Sequence, residues 1–294
     1  MNRFNVSLIQ QKCTSDRQEN IAETTRLIKE AAADCQLVVL QELHCTPYFC
    51  QVEDPEYFNL AESIPGPTTD HFASVARDNN VVIVASLFEK RAAGLYHNTA
   101  VVFDKDGSIA GTYRKMHIPD DPGYSEKFYF TPGDNGFQPI QTSLGKLGVM
   151  ICWDQWYPEA ARLMAMAGAD ILIYPTAIGY DPGDDPDEKQ RQLDAWITVQ
   201  RGHAIANSLP VVCANRIGLE PSPDKNSGIE FWGNSFITGC QGEFLARAGD
   251  EMSIITAEID LTRNEKVRRI WPFLRDRRID AYDEICKRWR EENN

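Results

Sequence analysis

The stretch that decides the fold is Leu147-Gly148-Val149-Met150-Ile151-Cys152-Trp153-Asp154, near the middle of the chain. From Leu147 to Ile151 the residues are continuously apolar, which is typical of a strand buried on both faces of a sheet. The run stops at Cys152, and Pro158 then suits the first turn of a helix that we expect to continue to about residue 167. A strand, a turn and a helix in succession are the repeating unit of an α/β fold.

The same unit recurs before and after this stretch. The apolar patterns predict helices over 18–33, 68–79, 158–167 and 188–208, and strands over 4–10, 37–40, 81–84, 98–103, 147–151, 171–174, 211–214 and 231–238. Ser15 and Gln18 predict a capping box ahead of the first helix. The two halves of the chain echo each other weakly, which favours an internal duplication with two packed sheets.

Length, charge and hydropathy narrow the class of protein. The 294 residues are 43% hydrophobic and 25% charged, as expected for one large α/β domain. The formal charge of −13 disfavours binding to nucleic acid or to anionic membranes. The start of the chain has no signal-peptide pattern, and no segment approaches a membrane span in length. We therefore expect a cytoplasmic protein with neither nucleic-acid nor membrane partners.

The eight cysteines are predicted to be free thiols, and seven of them to be small buried apolar residues. The sequence has no CxxC pair and no HExxH, so we predict neither a metal site nor another cofactor. The acidic stretch 181–188 lacks the alternating ligands of a calcium loop and is predicted to be solvated. The eighth cysteine, Cys152, is the one with chemically unusual neighbours.

Reactive side chains stand at the ends of three predicted strands: Glu42 after 37–40, Cys152 after 147–151, and Lys115 at the end of the return strand of a hairpin that turns at 104–107. Ligands gather at the carboxyl ends of strands in α/β sheets, so these ends are expected to meet. A thiol needs a lowered pKa or an adjacent base to react; a following helix and Lys115 would lower its pKa, and Glu42 would take its proton. Position alone leaves open the simpler interpretation of a core cysteine beside a salt bridge.

The segments 41–43, 113–117 and 148–154, which read QEL, YRKMH and GVMICWD, resemble the three signature segments of the nitrilase superfamily of carbon–nitrogen hydrolases. Residues 174–177 and 215–216 extend the resemblance, which runs to about residue 280. It implies a four-layer αββα sandwich of two mixed sheets with outer helices. Within it we expect a hydrolase domain over 1–262 and a C-terminal extension over 263–294.

The resemblance also implies roles for individual residues. Cys152 would be the nucleophile and Glu42 the base, while Lys115 and the Trp153 backbone N–H would form the oxyanion hole. Glu126 matches a second carboxylate that many members carry near the nucleophile. The residues expected to bind the substrate are Tyr48, Tyr124, Trp153, Thr176 and Ala177.

The loop over 116–136 indicates the substrate. Together with 151–156 and 273–278 it is most similar to a branch of the superfamily that hydrolyses the carbamoyl derivative of a diamine in polyamine biosynthesis. The far end of such a substrate is an ammonium, which requires carboxylates or aromatic faces in the pocket. The alternatives are an N-carbamoyl amino acid or β-ureidopropionate hydrolase, and then an aliphatic amidase or nitrilase.

Two further classes of protein are disfavoured. A Cys–His protease would use His44, His117 or His203 as base, but His203 lies in a predicted helix and is expected to satisfy a buried hydrogen bond, while His117 is expected to shape the loop after Lys115. A non-catalytic scaffold would have no need to keep all three reactive residue types, and all three are present. Finally, residues 267–282 mix aromatic side chains with arginines, which favours a homo-oligomer interface over an arm packed on its own subunit.

Overall fold

The computed structural model describes residues 2–224 and 228–290. Within them the strands are β1 (Arg3–Gln10), β2 (Leu37–Val39), β3 (Val82–Ala92), β4 (Leu95–Phe103), β5 (Ile109–Arg114), β6 (Ile140–Thr142), β7 (Gly145–Val149), β8 (Ile171–Pro175), β9 (Gly179–Tyr180), β10 (Val211–Ala214), β11 (Ile217–Pro221), β12 (Gly228–Trp232), β13 (Phe236–Thr238), β14 (Phe244–Arg247) and β15 (Ser253–Asp260). The α-helices are α1 (Arg17–Ala31), α2 (Pro67–Asn79), α3 (Glu126–Tyr129), α4 (Pro158–Met166), α5 (Pro186–Asn207) and α6 (Leu261–Ile270). Short 3-10 helices lie at Phe49–Gln51, Pro55–Leu60, Cys152–Trp156, Ile279–Ala281 and Asp283–Cys286.

Two six-stranded sheets carry the fold, in the orders β15-β1-β2-β3-β4-β5 and β14-β13-β10-β8-β7-β6. Each has three parallel strands at its centre, β1, β2 and β3 in the first sheet and β7, β8 and β10 in the second. Antiparallel strands flank both sets. Both sheets therefore have the same arrangement of strands. This confirms the two packed sheets that the weak similarity between the two halves of the sequence predicts.

Successive side chains along a strand point to opposite faces of its sheet, and this alternation separates the layers of the fold. Val6, Leu37 and Val84 of the first sheet share one apolar core with Leu147 and Val149 of the second. The intervening side chains of the first sheet, such as Val38 and Ile83, pack instead with residues of α1 and α2. Helices α4 and α5 cover the second sheet, so the chain is an αββα sandwich. Each large apolar side chain buried in this way contributes about 1.5–3 kcal/mol.

Several details differ from the sequence predictions. Asp16, rather than Ser15, caps α1, because its carboxylate accepts the N–H groups of Gln18 and Glu19. The strand predicted over 231–238 is two strands, since Gly233 and Asn234 adopt positive φ between them. The loop over 116–136 contains the short helix α3.

The cysteines are all free, but fewer of them are buried than predicted. Cys286 is exposed and Cys13 is partly exposed. Among the residues that the structure describes, no group of three His, Cys, Asp or Glu side chains is placed to hold a metal ion. None of the helices in the described ranges combines the length and the apolar character needed to cross a membrane. The predicted domain boundary after residue 262 falls inside α6.

Candidate active site

The three predicted reactive residues lie at one end of the sandwich. Glu42 follows β2 and Lys115 follows β5, both in the first sheet, while Cys152 follows β7 in the second. The backbone turns sharply at two of these points, since Cys152 has φ 42 and Leu43, directly after Glu42, has φ 48. Residues other than glycine rarely adopt such angles, and they persist only where the surroundings enforce them.

Lys115 joins two carboxylates in the interior. Its Nζ donates to Glu42 Oε1 at 2.8 Å and to Glu126 Oε2 at 2.7 Å, and all three side chains are buried. Tyr48 donates its hydroxyl to the other oxygen of Glu126 at 2.6 Å. Asn98 donates from Nδ2 to Glu42 Oε1, also at 2.6 Å. Among the described residues nothing hydrogen-bonds to Glu42 Oε2, which leaves one oxygen of this carboxylate free.

Burial and charge have opposite effects on this cluster. Burial disfavours the ammonium of Lys115, but the carboxylates of Glu126 and Glu42 outweigh it and hold the pKa of Lys115 well above its usual range. Burial raises the pKa of Glu126 to about 7, against the lowering effect of Lys115 and with the repulsion of Glu42. Lys115 is therefore a permanent cation in this site.

Cys152 is only 4% exposed, and its Sγ lies 3.7 Å from the carbonyl oxygen of Ala177. Burial, reinforced by Glu42 and opposed by Lys115, raises the pKa of the thiol well above its ordinary value. The predicted lowering of this pKa is thus wrong. The turn at Cys152 begins a short 3-10 helix, and α4 starts only at Pro158, so desolvation exceeds the effect of the positive charge. The resting group is a neutral thiol that needs a base.

Asp154 fastens the turn at Cys152 to the strand end at Lys115. Its Oδ2 accepts from the Tyr113 hydroxyl at 2.8 Å and from the Ile151 N–H at 3.0 Å. Its Oδ1 accepts from the His117 N–H at 3.0 Å and lies 2.7 Å from His117 Nδ1. Because Asp154 is fully buried, these bonds fix the spacing between two of the reactive residues.

A neutral thiol, a carboxylate with a free oxygen and a buried ammonium are what nucleophilic cleavage of a carbon–nitrogen bond requires. The sequence profile of the family described as carbon-nitrogen hydrolase matches residues 5–269. The chain belongs to the carbon–nitrogen hydrolase family.

Relatives and solved structures agree with this membership. An N-carbamoylputrescine amidase from Solanum lycopersicum is 45% identical over 282 residues, which cover 94% of this chain and 93% of the relative. A citrullinase from Francisella tularensis subsp. tularensis is 41% identical, over 98% of this chain and 100% of the relative. A crystal structure of a carbon–nitrogen hydrolase from Helicobacter pylori G27 matches with a TM-score of 0.96 and 56% identity, covering 98% of this chain and 100% of that chain.

Of the five residues predicted to bind substrate in this carbon–nitrogen hydrolase, the structure places four around the reactive group. Tyr48 bonds to Glu126, Ala177 contacts Cys152, and Trp153 follows the nucleophile directly. Tyr124 packs its ring 5.5 Å from that of Tyr48 and accepts the Gly179 N–H at 3.1 Å. Thr176 differs, because its hydroxyl points into the core toward Gln155 and Cys213. Only its carbonyl reaches the site, where it accepts the Glu42 N–H at 3.3 Å.

The histidines are engaged elsewhere. His203 is buried in α5 and its Nε2 lies 2.8 Å from the Gln155 carbonyl oxygen, which confirms the predicted buried hydrogen bond. Burial lowers the pKa of His44 to about 3, and its Nε2 lies 3.3 Å from Cys45 Sγ. His117 stacks on Tyr157 with ring centroids 3.7 Å apart and shapes the loop after Lys115, as predicted.

Sequence reasoning gave no role to Asn98, Asp154 or Arg216. Arg216 donates from Nη2 to the carbonyls of Glu42 at 3.0 Å and Leu43 at 2.9 Å, so it holds the turn that carries the base. From Nη1 it donates to the Thr46 carbonyl and to Glu220. The available signal was a polar residue inside or directly after an apolar strand, where an unpaired group would be costly.

Proposed function

We propose that this enzyme hydrolyses N-carbamoylputrescine to putrescine, carbon dioxide and ammonia, as a step of polyamine biosynthesis. The observation that carries the proposal is the buried cluster of Glu42, Lys115 and Glu126 beside the Cys152 thiol. The 45% identity to an N-carbamoylputrescine amidase along nearly the whole chain supports the substrate.

In the proposed mechanism, the free oxygen of Glu42 takes the thiol proton as Cys152 Sγ attacks the carbamoyl carbon. Lys115 and the Trp153 N–H stabilise the resulting oxyanion. The carbon–nitrogen bond then breaks, Glu42 returns the proton to the departing nitrogen, and the acyl group remains on sulfur. Water, deprotonated by Glu42, releases it, and the carbamic acid product loses carbon dioxide. Glu126 keeps Lys115 in place throughout.

The ammonium end of the substrate needs an anionic partner, and the loop between Lys115 and Glu126 contains one. Asp121 Oδ1 is buried and accepts no hydrogen bond from any residue in the described part of the chain. Burial raises the pKa of Asp121, and the charge of Lys115 partly opposes the shift, so this carboxylate lies within electrostatic reach of the cluster. The rings of Tyr48 and Tyr124 add aromatic faces that suit a cation.

The second candidate substrate is citrulline, because a citrullinase is 41% identical over 98% of this chain. Citrulline has the same ureido group and an ammonium, but it adds a carboxylate. A comparison of kcat/KM for N-carbamoylputrescine, citrulline and N-carbamoyl-β-alanine distinguishes these candidates. We expect the diamine derivative to exceed N-carbamoyl-β-alanine by at least about a hundredfold, since an unpaired desolvated charge is costly. Equal kcat/KM for these two substrates, or a preference for the one with a carboxylate, would contradict the proposed substrate. It would leave the proposed chemistry of Cys152 standing.

We also propose that the enzyme works as a homo-oligomer in the cytoplasm. The support for assembly is the apolar surface of residues 270–289, where Ile270 is 76% and Trp289 is 82% exposed. The support for the compartment is the set of eight cysteines without a disulfide, as expected in reducing surroundings. Light scattering at micromolar concentration tests the assembly, and a monomer would contradict it.

A further inference from the structure

We propose that Asn98 is a positioning residue that decides which oxygen of Glu42 acts as the base. Its Nδ2 donates to Glu42 Oε1 at 2.6 Å, on the same oxygen that Lys115 Nζ contacts at 2.8 Å. Two donors on Oε1 leave Oε2 as the proton acceptor. The inference rests on the proposed function, in which Glu42 is the base.

The orientation of the Asn98 amide is fixed by a chain of hydrogen bonds that starts beside the base itself. The Leu43 N–H donates to Ser86 Oγ at 3.2 Å, and the Ser86 hydroxyl donates to Asn98 Oδ1 at 3.0 Å. Because Oδ1 accepts from Ser86, the donor end of the amide faces Glu42. The strained turn after Glu42 and the carboxylate of Glu42 are therefore held by one buried network.

Lys115 alone cannot hold Glu42 during the reaction. As negative charge develops on the substrate oxygen, the ammonium interacts with it, and its bond to Glu42 Oε1 weakens. Asn98 carries no charge and is fully buried on β4, so its bond to Oε1 persists while Lys115 changes partners. The backbone of Asn98 also accepts the Lys115 N–H at 2.9 Å, which ties both contacts to one strand position.

The test uses Asn98→Leu, Asn98→Asp and Ser86→Ala, assayed with a carbamoyl or amide substrate that the wild type hydrolyses. Asn98→Leu should lower kcat by about 10- to 100-fold with KM changed less than about threefold, since a hydrogen bond to a charged group is lost. Ser86→Ala should give a smaller loss of the same kind. A wild type that hydrolyses no such substrate would defeat the proposed function, whereas active Asn98 variants would defeat only this inference.

Thr99→Val is the matched control. Thr99 is the next residue of β4, and its hydroxyl donates at 2.6 Å to another buried carboxylate, Glu89. The control should lose stability to a similar degree and keep its turnover within about threefold, because only the bond to Glu42 supports the base. An equal loss of turnover in Thr99→Val would reduce Asn98 to a structural role.

Asn98→Asp gives a readout that a structural role does not produce. At neutral pH it sets a second carboxylate against Glu42 and should be the least active variant. When the new carboxyl is protonated it becomes a donor again, so the ratio of its activity to that of the wild type should rise as pH falls. A ratio independent of pH, with folding confirmed by circular dichroism, would overturn the proposal even if Asn98→Leu proved too unstable to assay.

Discussion

Polar and apolar side chains are placed in opposite ways in two regions of the molecule. The regions are the catalytic end of the sandwich and the C-terminal arm, residues 271–290. At the catalytic end, ions such as Lys115 are buried and paired with groups distant in sequence. In the arm, arginines pair with sequence neighbours, as Arg275 does with Asp276, while apolar side chains such as Ile279 and Trp289 face outward. A single chain therefore supplies a partner for each of these buried ions at the catalytic end, but it leaves the apolar side chains of the arm exposed.

The largest effects on turnover should come from substitutions at the catalytic end. Cys152→Ala, Glu42→Gln and Lys115→Ala should each lower turnover by about three orders of magnitude or more, because such groups act as a unit. Cys213→Ala is the matched control, since it removes another buried thiol of the second sheet. Steady-state kinetics measures the turnover of each variant, and circular dichroism checks that it is folded. If Cys152→Ala kept more than a few per cent of activity, another nucleophile would be needed.

A smaller effect is expected from Asp121, in the loop between Lys115 and Glu126. Asp121→Asn should lower kcat/KM for N-carbamoylputrescine by about tenfold and change that for neutral N-butylurea much less, because only the first has an ammonium to lose. Asp120→Asn is the control, as Asp120 is exposed and its carboxylate lies 3.8 Å from Lys127. If Asp181→Asn changed the selectivity and Asp121→Asn did not, the ammonium would lie at the acidic stretch instead.

Substitutions in and beside the arm should change the size of the oligomer rather than the rate of hydrolysis. Ile270→Glu combined with Ile279→Glu places charge on the apolar surface of residues 270–289 and should lower the mass seen by light scattering to that of one chain, while kcat changes less than about threefold. Met252→Glu, on an exposed apolar residue outside the arm, should leave the assembly intact. An unchanged mass in the double variant would show that the copies meet elsewhere.

The smallest effect is a pH dependence of stability from Glu126. Its pKa of about 7 in the folded chain exceeds the ordinary 4.5, so the folded state binds this proton more tightly than the unfolded state does. The resulting stabilisation is complete below about pH 4.5 and is lost as pH rises through 7. Urea unfolding of Glu126→Gln should show a shallower fall in unfolding free energy across this range. The exposed Glu53→Gln should keep the slope of the wild type.

The sequence predicts the strands that end at Glu42 and Cys152 because continuous apolar runs stop there, and it predicts the strand that ends at Lys115 as the return strand of a hairpin that turns at 104–107. It does not predict β14 or β15, whose residues are largely exposed or half-buried, although Ile255, Ala257 and Ile259 of β15 alternate with polar residues. The role of Asn98 is equally hidden, since it depends on a partner 56 positions away. The raised pKa of Cys152 could not be predicted either, because the depth of burial is a property of the packed sandwich.

Strand β15 has a consequence for the order in which a newly made chain becomes active. It pairs with β1 from Arg3 opposite Asp260 to Gln10 opposite Ser253, so β1, which already has β2 on one side, gains its second neighbour only after the other strands of the first sheet have been made. Arg216, which holds the turn of Glu42, also emerges late. A ribosome-bound fragment that ends before β15 contains every reactive side chain but lacks the edge of its first sheet. Competence for hydrolysis should therefore arise only after β15 has been made, as pairing distant in sequence is slow to form.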